Sequence, residues 1–506
     1  MKIKDKALKW WADKTKKDDY VVSSSEIPDR RIREYLVKEK FLSSVTKSYW
    51  ILKRSEDQIE EVFPLLYWQV VEKILSRLGQ WSIWGKSALL LHNGDQKAQK
   101  HLSVKTEKKT NRKISLPLGF AISLIHDPAF DGRLVKKIDV ANRKIPVDIP
   151  EKVLTDVGKL KLGNESQNFL AGTHFNLRTL EALYARNPKP IVFKRLVGIA
   201  KDVSRFDLVP GLERIIETHT HYKVGRREKI EIQATVKKQV SLTPPWVIRQ
   251  EQQLEEFERT LDKQLGPKIK QLTKHPLREL LAQAKEHKKY DTYHSTTLEG
   301  YRITPEEVDA LLSGIVPKER ETGGPEHLEN IKNRMAILGY SGAFDFIAKT
   351  IHTDFGQPKI SEELVKDTYY QLFKPSADAG IIDYLSLVGY RNIAAFIRGT
   401  QYVPPSHEKL AELIASYEAS VNQVRNSFVK ALLAHYFFVT IHPYVDGNGR
   451  TARLLMNYCL VTEGHPWITI RADQRVEYFD ALKRGQVEGD IQPFGTFIIE
   501  MIKNAG

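Results

Sequence analysis

Cysteine is almost missing from this chain: among 506 residues Cys459 stands alone. That excludes an intramolecular disulfide and a cysteine-built zinc site, a usage suited to a reducing cytoplasm. Long apolar runs are missing too. Stretches such as Ala88-Leu89-Leu90-Leu91 fall far short of the ~20 residues a membrane-spanning helix needs, so no membrane span is expected. Met1 to Lys17 is charged throughout and shows no apolar core of a secretory signal. Acidic residues are in deficit, 63 against 78 Lys and Arg. The net charge of +15 favours anionic partners, nucleotides and nucleic acid first. What is present, 41% hydrophobic and 28% charged residues, is ordinary for a globular protein. The length implies about two to four domains.

Three textures follow one another. Residues 1–55 read as a helix (Lys6 to Lys14), a basic helix (Asp29 to Lys38) and two short β runs between Phe41 and Leu52 parted by Lys47-Ser48. Ile32, Tyr35 and Leu36 fall at core spacing, leaving Arg30, Arg31, Arg33 and Lys38 on the other positions. This order suggests a winged helix-turn-helix whose basic helix would enter a DNA groove; a solvated charged helix is the plainer alternative. Residues 56–245 read as a mixed α/β domain. Glu61 to Leu78 is helical with Pro64 in its first turn, Ser82 to Leu91 is helix or buried strand, and Lys97 to Lys113 is a lysine-rich loop. Ile114 to Val147 alternates as strands do, Leu177 to Arg186 and Pro190 to Ser204 read as helices, and Lys229 to Val240 alternates again. Residues 246–506 are mainly helical: Glu251 to Leu265 is a polar, exposed connector, followed by helices at Pro276 to Asp291 and Thr304 to Leu312, the second with capping Thr304 and Pro305 at its start.

The chemistry concentrates in His442-Pro443-Tyr444-Val445-Asp446-Gly447-Asn448-Gly449-Arg450-Thr451-Ala452-Arg453. Apolar helices flank this polar turn on both sides, Val429 to Val439 and Thr451 to Val461. Gly447, Asn448 and Gly449 readily adopt unusual backbone angles, so successive N–H groups there can converge on one anion at the next helix's positive end. Arg450 and Arg453, three apart, suit bidentate phosphate contact. Asp446 offers the hard oxygen that Mg²⁺ prefers, and His442 can accept a proton near neutral pH. A calcium loop counted from Asp446 fails, because Thr451 stands at its sixth position and Asn457 at its twelfth. An Asx turn explains Asp446, Gly447 and Asn448 but gives no reason for His442, Arg450 and Arg453.

These twelve residues closely resemble the Fic signature, which usually has Phe where Tyr444 stands, and the similarity extends over about Glu279 to Ile502. The resemblance implies AMP transfer from ATP to a Ser, Thr or Tyr hydroxyl of a protein target. It makes His442 the general base, Asp446 the Mg²⁺ ligand, Gly447, Asn448 and Gly449 the anion hole, and Arg450 and Arg453 the phosphate ligands. Ser295-Thr296-Thr297-Leu298-Glu299-Gly300 matches a second family pattern, an inhibitory helix near residues 287–300. There Glu299, one turn after Ser295, would pair with Arg453 where the γ-phosphate must sit, and Gly300 would end the helix. Gly389-Tyr390-Arg391-Asn392 and Tyr402-Val403-Pro404-Pro405 bracket an alternating stretch, Ile393 to Gln401, that reads as a hairpin. It resembles the family's target-docking flap, with Tyr390, Arg391, Ile393 and Tyr402 as its residues. His435 reads as a core histidine. The N-terminal half loosely resembles AbiEi-type regulators, through Tyr20-Val21-Val22-Ser23, the basic helix, Val45 to Trp50 and Trp84 to His92, which would imply DNA binding. Left open are a donor other than ATP, removal rather than addition of AMP, a DNA-binding regulator with a regulatory Fic module, and a homo-oligomer.

Overall fold

The computed structural model describes residues 2–17, 19–157, 164–219, 243–315, 325–397 and 400–505. They divide into two compact units, one of residues 1–249 and 396–406, the other of 250–395 and 407–506. Lys229 to Val240 lies outside the described residues.

The first unit begins with α1 (Ile3–Thr15), β1 (Val21–Ser23), α2 (Arg30–Lys38), β2 (Leu42–Thr46) and β3 (Tyr49–Leu52). The strands form an antiparallel sheet in the order β1-β3-β2. Asp29 starts α2 by accepting a 2.8 Å bond from the Arg31 N–H, and Ile32 and Leu36 dock with Ala7, Val22, Leu42 and Leu52 into a small core. Strand β1 separates α1 from α2, so two consecutive helices joined by a turn are not among these elements.

A second sheet follows. It comprises β4 (Trp81–Ile83), β5 (His101–Thr106), β6 (Arg112–Ser115), β7 (Ala121–His126), β8 (Val135–Val140) and β9 (Arg143–Asp148), in the order β6-β7-β5-β4-β9-β8. Helices α3 (Ile59–Leu75), α4 (Gly85–His92), α5 (Pro150–Val157), α6 (Asn164–Gly172), α7 (Leu177–Arg186), α8 (Pro190–Asp202) and α9 (Val209–His219) complete the unit. Pro64 sits in the second turn of α3, not the first, and Ser82 to Leu91 divides into β4 and α4. The supposed loop from Lys97 to Lys113 contains β5, an interior strand of the sheet. Its Leu102 and Val104 are fully buried, and Lys105 is buried beside Asp148 at 2.7 Å. A lysine that normally signals solvent is here the partner of a buried carboxylate.

The second unit is helical: α10 (Pro245–Ile269) from residue 250 onward, α11 (Leu277–Leu298), α12 (Pro305–Leu312), α13 (Pro325–Asp354), α14 (Glu362–Asp378), α15 (Leu410–Gln423), α16 (Ser427–Ile441), α17 (Asn448–Thr462), α18 (Arg475–Lys483) and α19 (Gln492–Ala505). The expected exposed connector is a packed helix: Leu254, Phe257, Leu261 and Leu265 of α10 are buried, and Phe257 lies 5.4 Å from the Tyr436 ring. Thr304 and Glu307 close a reciprocal capping box on α12. Asn426 caps α16, whose apolar residues run all round the helix and place it in the core against α17. Among the described residues no helix is long and apolar enough to cross a membrane.

The expected hairpin is absent: the described residues from Tyr390 to Tyr402 pair with no strand. Tyr402 and Val403 are buried, Val403 within the core of the first unit.

Candidate active site

Helix α16 ends at His442, which takes left-handed angles (φ 53°, ψ 59°). A β-carbon makes that conformation cost about 1–3 kcal/mol, so it persists only where the surroundings impose it. They do. The His442 N–H bonds back to Phe438 O at 2.9 Å, and its carbonyl accepts a 2.7 Å bond from Arg391 Nε. The Arg391 backbone N–H bonds Pro443 O at 2.8 Å, and its Nη1 reaches Ile393 O at 2.7 Å. Arg391 is buried and staples the start of the turn. The flap resemblance makes it a docking residue; in the fold its guanidinium is turned onto the chain's own carbonyls.

The Asn448 side chain closes the same turn from within, accepting from Tyr444 N–H at 3.0 Å and donating to Tyr444 O at 2.8 Å. The Tyr444 ring stacks on Tyr369, 3.6 Å apart and nearly parallel. Gly447, at φ 80°, caps α17 without a side-chain hydrogen bond, and a β-carbon there would lie 2.5 Å from Phe373. Only glycine fits. The N–H groups of Asn448, Gly449 and Arg450 therefore open α17 with no partner four residues back, at its positive end.

His442 is half-buried, and its Nδ1 lies 3.2 Å from Val439 O. A carbonyl only accepts, so Nδ1 carries the proton and Nε2 keeps its lone pair. Burial, aided by the charge of Arg391, pushes the imidazole pKa down to about 4. At neutral pH it is an uncharged base. His435, by contrast, is fully buried with Nε2 2.8 Å from the Tyr478 hydroxyl, as a core histidine should be.

Arg450 and Arg453 fork apart. Arg450 Nη2 lies 3.2 Å from Asp446 Oδ2 and 3.4 Å from the Tyr301 hydroxyl, its guanidinium facing the rings of Tyr301 and Phe373 at 5.0 and 5.1 Å. Arg453 Nη2 donates to Ser295 O and to Glu299 Oε1, both at 2.8 Å, and its Nε to Ser295 Oγ at 3.3 Å. Ser295 and Glu299 thus meet the second arginine. Glu299 caps the C-terminus of α11, and Gly300 follows at φ 91°. The carboxylate also lies against Gly449: a β-carbon there would be 2.2 Å from Glu299 Oε1. Both arginines are buried, yet among the described residues Arg450 Nε and Arg453 Nη1 have no hydrogen-bond partner. Such donors fit a phosphate, which offers several acceptor oxygens at once.

Asp446 is half exposed and its Oδ1 accepts from the Gly447 N–H at 2.6 Å. Among the described residues no group of three or more His, Cys, Asp or Glu side chains could hold a metal by itself. A single carboxylate fits Mg²⁺ only where phosphate oxygens and water supply the other ligands.

Of the remaining candidates, the Tyr390 hydroxyl bonds Glu362 at 2.5 Å, Ile393 is half exposed and Tyr402 belongs to the first unit. Arg30, Arg31, Arg33 and Lys38 also lie in the first unit. Sequence reasoning missed Tyr301, Phe373 and Tyr369; only Tyr301 had a signal, its place just after the Glu299-Gly300 pair.

A left-handed histidine before α17 and two buried arginines within it thus frame a helix start that no side chain caps. Residues 359–460 match the Fic/DOC family, and the chain carries such a domain. Among curated relatives, the protein adenylyltransferase Fic of Drosophila mojavensis is 32% identical over 217 residues, covering 41% of this chain and 38% of that protein. Its namesake in Drosophila melanogaster is 34% identical over 212 residues, covering 41% and 39%. The chain matches less than two fifths of the length of these relatives. A solved Fic-domain signalling protein of Bacteroides thetaiotaomicron is 21% identical with a TM-score of 0.37, covering 51% of this chain and 93% of that one.

Proposed function

We propose that this protein is a protein adenylyltransferase that moves AMP from ATP onto a Ser, Thr or Tyr hydroxyl of a protein target. The observation that carries the reading is the pair of buried arginines with unpartnered N–H groups beside a neutral histidine. His442 Nε2 takes the proton of the acceptor hydroxyl, whose oxygen forms the new bond to the α-phosphorus. The α–β phosphoanhydride bond breaks and pyrophosphate leaves with the electron pair. Its charge meets the N–H groups opening α17, Arg450 and Arg453, donors already in place before reaction. Asp446 would hold Mg²⁺, which would neutralise phosphate charge. The strain at His442 fixes the base relative to the cradle, so little is lost in orienting it.

In the resting state Glu299 holds Arg453 and lies against Gly449, positions a triphosphate would need, so the enzyme is autoinhibited. Incubation with α-labelled ATP and Mg²⁺ tests the assignment: label is transferred to protein by the released variant Glu299→Gly and lost in Glu299→Gly/His442→Ala. Equal labelling of both sinks it. Competition by GTP and UTP in the same assay decides the donor.

A second reading, DNA binding by the first unit, is favoured by the placement of Arg30, Arg31 and Lys38 on the exposed face of α2, although Glu34 and Asp29 partly neutralise the two arginines. It requires affinity for duplex DNA that falls steeply with salt and drops on charge reversal of these residues.

A further inference from the structure

The phenol of Tyr301 touches both the proposed metal ligand and the first phosphate ligand. Its hydroxyl donates to Asp446 Oδ2 at 3.0 Å and lies 3.4 Å from Arg450 Nη2. Its ring covers one face of the Arg450 guanidinium while Phe373 also packs on it. Without these contacts Asp446 would be a half-exposed side chain fixed only by its neighbour Gly447 and by Arg450. An aspartate free to rotate loses rotamer entropy on binding a cation; one already tethered does not. Hydrogen-bond donors behind a ligating carboxylate commonly act in this way. The tether occupies Oδ2, while Oδ1 carries only the Gly447 N–H and keeps a lone pair.

We propose that Tyr301 is a positioning residue that holds Asp446 and Arg450 in the orientation needed for a divalent cation bound to a nucleotide diphosphate. The inference rests on the adenylyltransferase reading of the site, in which Asp446 is the metal ligand. Tyr301 touches no reacting atom; it acts through its two neighbours.

The test uses the full chain carrying Glu299→Gly, with Mn²⁺ binding in the presence of ADP followed by the loss of the free-ion electron paramagnetic resonance signal. Tyr301→Phe keeps the ring on Arg450 and removes the hydroxyl. It is expected to weaken Mn²⁺ binding about tenfold or more, with an unchanged melting temperature. Label transfer should recover at high metal concentration, so the defect resides in the metal requirement. Tyr301→His, which retains a ring and an N–H donor, should regain part of the affinity. Unchanged Mn²⁺ affinity in Tyr301→Phe overturns the inference. Tighter binding overturns it as well, because Tyr301 would then compete with the cation. Asp446→Asn separates the two levels. If it binds Mn²⁺ like its parent, the reading of the site fails and takes the inference with it; if it alone loses the ion, only the role of Tyr301 fails.

Discussion

On the adenylyltransferase reading, replacing Glu299 by glycine removes one carboxylate from the proposed phosphate cradle and should raise transfer. The Glu299–Arg453 contact is a charge-assisted hydrogen bond of 2.8 Å between side chains only 20% and 3% exposed. Such bonds contribute about 1.5–3 kcal/mol. If that free energy opposes productive nucleotide binding, its removal raises label transfer roughly tenfold to a hundredfold. Arg453 is not stranded by the change, because Ser295 O and Oγ still accept from it. The stability lost should therefore stay well below the ~3–5 kcal/mol typical of a buried charge left alone. The assay compares transfer of α-labelled AMP by the parent, Glu299→Gly and Glu299→Gly/His442→Ala, with melting temperatures taken with and without ATP. ATP should raise the melting temperature of Glu299→Gly more than that of the parent, since ligand stabilisation grows with affinity. Equal transfer by parent and Glu299→Gly, in a preparation where His442→Ala is silent, refutes the brake and leaves the transferase assignment standing.

Three further outcomes follow from the same geometry. Gly449→Ala places a methyl group 2.2 Å from Glu299 Oε1 and 3.1 Å from Arg453 Nη1; transfer should fall about a hundredfold in the Glu299→Gly background too, as the methyl group stays in the anion site. For pH, the folded pKa of His442 is pushed below the ordinary ~6.5 to about 4. The neutral base, and the stability linked to it, is fully present above pH ~6.5 and is lost as pH falls through the folded value. An acid limb of kcat/KM near pH 4–5 is expected for Glu299→Gly, and a limb at pH 6.5 would contradict the burial argument. Tyr444→Phe removes a buried hydroxyl that has no hydrogen-bond partner. Because the ring remains stacked on Tyr369, melting should be unchanged or rise by up to about 1 kcal/mol in stability, with transfer retained.

What the sequence made legible was local. The glycine turn, the capping of α12, the basic helix and the Ser295–Glu299 turn each depend on residues a few positions apart, and each is present. Long-range contacts hid the rest. Arg391 reads as a flap residue because nothing in its neighbourhood announces that its guanidinium meets a carbonyl 51 positions away. Strand β5 reads as a loop because Lys105 counts as wet, yet Asp148, on β9, neutralises it inside the sheet. The polar residues of α10 suggest a solvent-exposed rod, while the spacing of Leu254, Phe257, Leu261 and Leu265 carries the packing face. Tyr301 belongs to neither motif, because its contact with Asp446, 145 positions away, exists only in the folded chain.

The stapling of the His442 turn by Arg391 makes the twelve-residue signature dependent on chain far from it. A peptide of those residues, or a graft of them onto another helical hairpin, would lack the guanidinium that keeps the imidazole in its costly backbone state and would relax into an ordinary helix end. Damage outside the signature can thus reach it: losing the Arg391 side chain alone would leave every proposed phosphate ligand in place while freeing His442 to turn away.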